Sequence, residues 1–450
     1  MSRIVKIFKA FRNHPKKTIL FSALAAYGIN YAKSKYEEEQ LLAAYCKEAS
    51  WYGDQPLPYS ANHRHITVLL NPAAAGGKCK AQFDKYCAPL LHLAGLKVAI
   101  VRTEHQGQAR DLMAIMEKTD GVVLAGGDGT LSEALTGLLR RTDDAASRLP
   151  LSILPLGACS VAGKAVWGLS EQPQPRDLLE ATMAVVREVL SPMDVMEVLP
   201  LTSADENPAK PIFACMLEWG AYRDAWERRD KYWYWATLRR YVTYLFSSYK
   251  DLNWDCSCSV LYTLPCAGCS RCAGPASSPQ DVKEKNIGRS KRWYHYLLPS
   301  MGNVNLGHEK PDTSLPHTRP TEDRSGVINP ECGEVHEETV GRVCDVRVAT
   351  RNSPAASHLL PHQLLFRTGA TDTSTTEFIS EGWRRTSSGA ATHAREQLVG
   401  SITIRPTGEL KNNQGDEREF YVDGESYEVR PVTVRVRPRA VSIFAPPRPA

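Results

Sequence analysis

The sequence predicts an α/β chain, with an N-terminal domain built on a parallel sheet followed by an antiparallel β-sandwich domain. Three observations carry this prediction. From about His65 to residue 200, short β-rich runs alternate with helix-length segments, which implies parallel pairing through crossover helices. Two of those runs end in glycine-rich loops. From Cys344 onward the runs become short and alternating, as in an antiparallel sheet with one buried face.

The elements follow in order. "ITVLL" is a strand that stops at the breaker pair Asn71-Pro72. "NPAAAGGK" is a loop, and a helix runs on through Leu93. "KVAIV" is a strand, "GQARDLMAIMEK" a helix and "GVVLA" a strand, with "LSILP" and "MDVMEV" completing a domain over residues 62–200. After Ala209, "IFACMLEWG" is strand-like and "RDKYWYWATLRRYVTYLFSSY" is expected to be helical. Residues 265–340 are rich in Pro, Gly, Ser and charge without a sustained period, and read as a long loop or disordered insert. "CDVRVAT", "SITIRP", "EFYVDG", "SYEVRP" and "VTVRVRP" belong with 209–264 to a β-rich domain resuming at 341–446.

Length and composition set the bounds. With 450 residues, 42% of them apolar and 23% charged, the chain can bury the cores of two or three domains. The net charge of +5 is mild and unevenly placed, which gives no argument for nucleic acid. Arg3, Lys6, Lys9, Arg12, Lys16 and Lys17 precede the first acidic residue, Glu37. They flank the apolar stretch 18–32, about 22 Å long as a helix and short of a ~30 Å hydrocarbon core. An acid-poor basic start is the composition of a mitochondrial address, and a short apolar helix with basic flanks suits an anionic membrane surface. Residues 1–36 are therefore expected to target and anchor the chain.

The chemistry concentrates in "VVLAGGDGTLSE". A strand delivers the chain to Gly126, Gly127 and Gly129 around Asp128, where glycine permits positive φ and leaves room for a ligand. Thr130 with Glu133 three residues on has the pattern of a capping box, so a helix N-terminus is expected to face an anion here. The loop after "ITVLL" repeats the logic with Asn71, Gly76, Gly77 and the cation Lys78. It is not a Walker A loop, since Pro72 and Cys79 stand at its defining positions. Ser132 likewise stands where a dinucleotide fingerprint needs its third glycine. Two such loops at the ligand edge of one sheet imply a phosphate-bearing ligand held mainly by backbone.

"NPAAAGGK" followed by "LAGGDGTLSEALTG" resembles the diacylglycerol-kinase catalytic domain shared by sphingosine, ceramide and other lipid kinases. "FRNHPKKT", "APLLHLAGLKV", "TGLLRRTDDA", "SKRWYHYL" and "RDKYWYW" look more narrowly like the mitochondrial acylglycerol kinases. The resemblance implies a nucleotide-binding α/β domain and a lipid-binding β-sandwich. It implies ATP- and Mg²⁺-dependent phosphorylation of a mono- or diacylglycerol hydroxyl at the mitochondrial inner membrane, facing the intermembrane space. By motif match it sets Asn71, Gly76, Gly77, Thr103, Gly126, Gly127, Asp128, Gly129, Thr130 and Glu133 around the nucleotide, with Lys78 and an Asp128-bound Mg²⁺ neutralising charge.

For the proton acceptor the resemblance offers Asp128 and, in "VDGE", Asp423 with Glu425; the bland reading of that Asp-Gly is a hairpin turn. Asp224 matches a head-group contact of sphingosine kinases. "LPLGACSVAG" departs from the family's Gly-Thr-Gly-Asn-Asp at Ala158, Cys159 and Ser160, which bears on activity. Acylglycerol kinase also serves as a subunit of the translocase that imports carrier proteins, so a non-catalytic scaffold is the rival reading. NAD-kinase-like and sphingosine or ceramide kinase activities are further alternatives.

Two other stretches stand apart. "CSCSVLYTLPCAGCSRC" holds Cys256, Cys258, Cys266, Cys269 and Cys272; free thiols in a variable insert are preferred over disulfides, and both over zinc with Cys256 or Cys258 as fourth ligand. In "ERRDKYWYWATLRRYVTYLFSSYK", Tyr234, Leu238, Tyr241, Val242 and Leu245 share a helical face, which reads as core or a membrane-interface helix.

Overall fold

The computed structural model of the chain describes residues 15–56, 62–143, 148–156, 161–167, 174–201, 209–248, 255–266, 268–271, 327–353, 356, 358–371, 373–387, 392, 395–408 and 418–445. It opens on helix α1 (Pro15–Gly53), 39 residues long. Its leading half exposes Leu20, Leu24, Tyr27 and Ile29. Its trailing half buries Tyr45 and Ala49 in the same apolar cluster as Leu90, Leu91 and Leu179. Helix α1 thus runs past residue 36 and becomes part of the first domain's core. Among the described residues no helix is long and apolar enough to cross a membrane.

The alternation read from the sequence then unfolds as strand β1 (His65–Leu70), strand β2 (Lys97–Arg102), helix α2 (Gln108–Ile115), strand β3 (Gly121–Gly126), helix α3 (Asp128–Leu139), strand β4 (Leu151–Pro155), helix α4 (Val161–Trp167) and helix α5 (Pro175–Arg187). The strands lie in the order β2-β1-β3-β4, all parallel. β3 is buried along its whole length because helices cover both faces of a parallel sheet. α5 buries one stripe, Leu178, Leu179, Met183 and Val186, and is closed at its start by a capping box between Gln174 and Asp177.

Beyond it come β5 (Leu190–Pro200), β6 (Ile212–Ala214), β7 (Met216–Gly220), helices α6 (Ala221–Glu227) and α7 (Arg239–Ser247), β8 (Cys258–Thr263), β9 (Val335–Val340), β10 (Asp345–Ala349), β11 (Leu364–Thr368), helix α8 (Thr375–Ser387), β12 (Arg395–Val399), β13 (Ser401–Pro406), β14 (Glu419–Val422), β15 (Glu425–Glu428) and β16 (Val432–Phe444). The strands β12-β11-β10-β7-β14-β15 form one antiparallel sheet. It faces the antiparallel end of a mixed sheet, β16-β13-β8-β9. Leu217, Trp219, Val346 and Phe366 from one share a core with Val260, Ile402 and Val434 from the other. Trp219 meets Phe420 edge-on at 5.3 Å between ring centroids.

Three local expectations are corrected. Residues 335–340, read as the end of a long loop or disordered insert, form β9, because their alternating residues pair with β8. "MDVMEV" lies in β5, which pairs antiparallel with β16 and not parallel with its predecessors. The cause is a return of the chain's last strand, β16, which also pairs parallel with β4 and so fuses the two domains' sheets. The aromatic segment is not one helix. A 3₁₀ run at Arg228–Leu238 breaks at Tyr232 and at Ala236, where φ is +46°, before α7 begins. The single apolar face expected from regular helical spacing is therefore lost: Tyr234 and Leu238 are exposed while Tyr244 of α7 is buried.

Candidate active site

The two glycine loops meet at the C-terminal edge of the parallel strands. Asn71 joins them. Its backbone N–H donates to the Ala125 carbonyl at 3.0 Å. Its side-chain oxygen accepts the Ala73 N–H at 3.0 Å, and its amide donates to Thr130 Oγ1 at 3.1 Å. The loop it opens turns through Ala74–Gly77. Gly76 and Gly77 take φ of +64° and +84°, and a side chain at either would meet nothing within 4 Å. That leaves open space over bare backbone, as a phosphate-bearing ligand requires. Lys78 is exposed beside it. Thr103, buried at the end of β2, donates its N–H to Leu70 at 3.0 Å and sits behind the loop.

The "GGDGT" turn works differently from its sequence reading. None of its three glycines has positive φ. Gly127, at φ −103°, is the N-cap, and α3 starts at Asp128, so Thr130 lies inside the helix and forms no cap. Gly126 is needed for clearance: a Cβ there would stand 2.5 Å from Thr130 Oγ1. The Glu133 carboxylate reaches another helix, accepting the N–H groups of Gly107 at 2.7 Å and Ala109 at 3.2 Å at the start of α2. The capping-box spacing is real, but the partner donors belong to the neighbouring helix, which lacks a cap side chain of its own.

Asp128 is buried at 8% exposure, and its Oδ1 accepts the Ala162 N–H at 3.1 Å at the head of α4. The altered family loop at 157–160, just before α4, lies outside the described residues.

The second carboxylate motif arrives from the far domain. Asp423 and Gly424 form the two-residue turn between β14 and β15, with φ of +48° and +91°. The hairpin reading is correct, and the turn also aims a buried carboxylate inward. Asp423 Oδ2 accepts the Cys215 N–H and Oδ1 the Met216 N–H, each at 2.8 Å. Burial raises its pKa well above the usual carboxylate range. The neighbouring Asp128 charge adds to that rise and the two N–H bonds oppose it.

Glu425, one residue past the turn, packs over Gly129, where a Cβ would stand 3.5 Å from its Cγ. Tyr427 donates to Glu425 Oε2 at 3.0 Å. Burial, then the Glu133 charge, pushes the Glu425 carboxyl up to about 7. A cavity of about 320 Å³ opens beside this pair, lined among others by Ser132, Arg140, Lys210 and Tyr427. Arg140 and Lys210 were missed in the sequence. Arg140 had a signal, since it follows Glu133 at two-turn spacing, as the residue that caps the C-terminus of α3; Lys210 had none.

Asp224 lies on α6, and burial pushes it up to about 7 against the nearby Arg228 charge and a hydrogen bond with Tyr421. Its neighbour Arg223 donates to the Gly424 carbonyl at 3.4 Å. The structure therefore gathers Asn71, Gly126, Asp128, Gly129, Thr130, Glu133, Asp423 and Glu425 where the domains meet. Asp224, on α6, stands apart from them, against Tyr421 of β14.

This strand-end glycine edge, closed by carboxylates from a second domain, lies in a chain of a lipid-kinase family: residues 65–198 match the diacylglycerol kinase catalytic domain. Residues 215–449 match the acylglycerol kinase C-terminal domain. The chain belongs to the acylglycerol kinase family. It is similar to the human mitochondrial acylglycerol kinase, with 30% identity over 98% of this chain and 96% of that protein. The Xenopus laevis mitochondrial acylglycerol kinase is 39% identical over 59% of this chain and 61% of its own length. Human sphingosine kinase 1 is 30% identical over 37% of this chain and 44% of its own.

Proposed function

We propose that this member of a lipid-kinase family transfers the γ-phosphoryl group of ATP to a hydroxyl of a mono- or diacylglycerol, giving lysophosphatidic or phosphatidic acid. The observation that carries the reading is the convergence of Glu425 on Gly129 and Glu133, which sets a carboxyl of raised pKa against the glycine turn. The backbone of Gly76, Gly77, Gly126 and Gly127, with Asn71, Thr103 and Lys78, holds the phosphates. Glu425 takes the alcohol proton, the alcohol oxygen bonds to the γ-phosphorus, and the bond to the β–γ bridging oxygen breaks to release ADP. Asp423, whose two oxygens are both taken up by backbone N–H groups, orients this turn. Asp224 meets the lipid head group.

The donor set fits magnesium, which takes oxygen ligands through one or two carboxylates and substrate phosphates. Asp128 is the residue that would hold it, and a cation there would ease the repulsion that raises Asp423. When bound, magnesium neutralises charge on the phosphates.

A mitochondrial placement is supported by the basic, acid-poor start and by the relatives' names as mitochondrial acylglycerol kinases; the inner membrane and an intermembrane-space orientation rest on the family resemblance alone. The exposed apolar half of α1 suits attachment there. A role in the carrier-import translocase rests on family membership and is separable from catalysis. The test is labelled-ATP phosphorylation by the membrane-reconstituted chain, offered monoacylglycerol, diacylglycerol, sphingosine, ceramide and NAD in parallel. Label in the acylglycerols is expected. Label confined to another substrate would overturn the assignment, and no label from a folded chain that still supports carrier import would leave the scaffold role.

A further inference from the structure

Three cysteines come together at the outer edge of the mixed sheet, away from every residue of the site above. The edge strand β9 pairs antiparallel with β8, with Thr263 opposite Val335. The chain leaving β8 therefore runs beside the chain entering β9, although residues 272–326 separate them in sequence. The two segments are tied further. Ser270 donates its N–H to the Val327 carbonyl at 3.0 Å, and Arg271 Nη1 donates to the Pro330 carbonyl at 2.9 Å. On one side Cys266 and Cys269 flank Gly268, at φ +116°; on the other Cys332 precedes Gly333, at φ +81°. The turn presenting Cys332 is closed by its own N–H to the Asn329 carbonyl at 3.3 Å and by the Glu331 N–H to Asn329 Oδ1 at 3.2 Å. The sulfurs of Cys266, Cys269 and Cys332 all lie within 4.8 Å of one another.

We propose that Cys266, Cys269 and Cys332 bind one zinc ion, which clamps the two chain segments flanking residues 272–326 to each other. Zinc at about 2.3 Å from each sulfur sets tetrahedral neighbours roughly 3.8 Å apart, so the trio closes on the ion with shifts of about 1 Å. A disulfide explains the cluster less well. It draws two sulfurs to about 2.05 Å and leaves the third over, whereas here three converge from both sides of the hairpin base. Thiolates are soft ligands, which favours zinc over magnesium or calcium. The Asn329 side chain and the Gly268 N–H hydrogen-bond the Cys266 sulfur and so fix its position. Binding releases the three thiol protons to solvent and moves no electrons. Three thiolates and Zn²⁺ carry one net negative charge, and Arg271, tied to Pro330, supplies a neighbouring positive one.

The spacing alone had offered Cys256 or Cys258 as a further ligand. Both are buried in the core between the sheets, so they are packing residues and not ligands. The missing partner was Cys332, which only strand pairing brings near. The sequence has one more cysteine close by, Cys272, which lies outside the described residues; the proposal rests on the other three.

The test uses the full chain, purified without chelator or added metal, with metal content measured by mass spectrometry. About one zinc per chain is expected, falling to less than about a tenth in Cys266→Ser, Cys269→Ser and Cys332→Ser, and unchanged in Cys46→Ser on α1. Cobalt exchanged into the unmutated chain gives a reading that does not depend on how the variants fold. Its thiolate-to-metal charge-transfer band should have the intensity of three or four thiolates. A cobalt band matching two or fewer would overturn the proposal. So would a metal-free chain with three reagent-accessible thiols, a mapped disulfide within the trio, or zinc retained in a folded Cys332→Ser.

Discussion

Glu425 and Glu133 share a hydrogen bond between their carboxyl groups, one reaching from a hairpin of the β-sandwich domain, the other from the helix that follows the glycine turn. A shared proton is the economical solution for two carboxyls in one partly buried place. Burial first, then the Glu133 charge, poises the hairpin member near neutrality, where a proton acceptor works best.

The pH dependence follows with a definite sign. Glu425 has a folded pKa of about 7 against an ordinary 4.5. Between those values the folded chain holds the proton that the unfolded chain has lost, so this group's contribution to stability falls as pH rises through that window. Phosphorylation should rise through about pH 7 as Glu425 ionises. Glu133→Gln removes the competing charge and should move that limb to lower pH. Glu425→Gln should abolish the limb and slow the reaction by about a hundredfold or more. A full pH–rate profile of the three proteins checks this; an unchanged limb in Glu425→Gln would move the proton elsewhere.

Truncation should divide α1 in two. Removing residues 1–34 takes away the half whose Leu24, Tyr27 and Ile29 are exposed, so the remaining chain should keep its melting temperature and leave the membrane. Removing residues 1–53 strips Tyr45 and Ala49 from the core, and with them the Tyr45 hydrogen bond to Glu180. Loss of one large core side chain costs about 2–5 kcal/mol, so a drop of several degrees or more is expected. Thermal melts and carbonate extraction of both truncations distinguish the halves.

Gly126→Ala should be costly for a reason of space and not of dihedral angle. The new methyl would stand 2.5 Å from Thr130 Oγ1 and 2.8 Å from Thr130 Cβ, and Thr130 is the partner of Asn71. Overpacking of this kind costs about 1–3 kcal/mol, and the shift should also part the two loops. Denaturant unfolding and nucleotide affinity should therefore worsen together. A variant as stable as the parent, with the same affinity, would show that the turn has slack the structure does not display.

How much of this was legible in the sequence depends on the range of the interactions. Periodicity and breakers marked β1 to β4, because a strand buried on both faces and a glycine after it are local signals. The neighbour of Gly129 was not local: Glu425 arrives through a hairpin nearly three hundred positions later. The "VDGE" turn itself was readable, yet nothing near it reveals that Asp423 bonds the backbone of Cys215 and Met216. The misread cap at Thr130 has the same origin. Glu133 has the right spacing for its own helix, but α2 offered two N–H groups without a cap. β5 was misjudged because its partner is the last strand of the chain.

Asp128→Asn separates catalysis from any scaffolding role. The substitution keeps volume and leaves an oxygen able to accept the Ala162 N–H, so the head of α4 should stay in place. What it removes is one buried negative charge. Asp423 then loses the neighbour that raises its pKa, so its own pKa should fall and the hairpin should be, if anything, better held. Folding should survive, and so should nucleotide binding, which the glycine backbone carries. The rate should not survive, because phosphoryl transfer depends on charge placed against the phosphates, and a drop of at least about a hundredfold is expected. Import of carrier proteins should be untouched in mitochondria holding only this variant if that role uses other surfaces. The measurement is therefore paired: lipid phosphorylation by the purified variant and carrier import in the organelle. Lost phosphorylation with normal import means two separable roles. Loss of both, in a chain with an unchanged melting temperature, means that import requires the catalytic site. An unaltered rate takes Asp128 out of the reaction and leaves its carboxylate as the cap of α4.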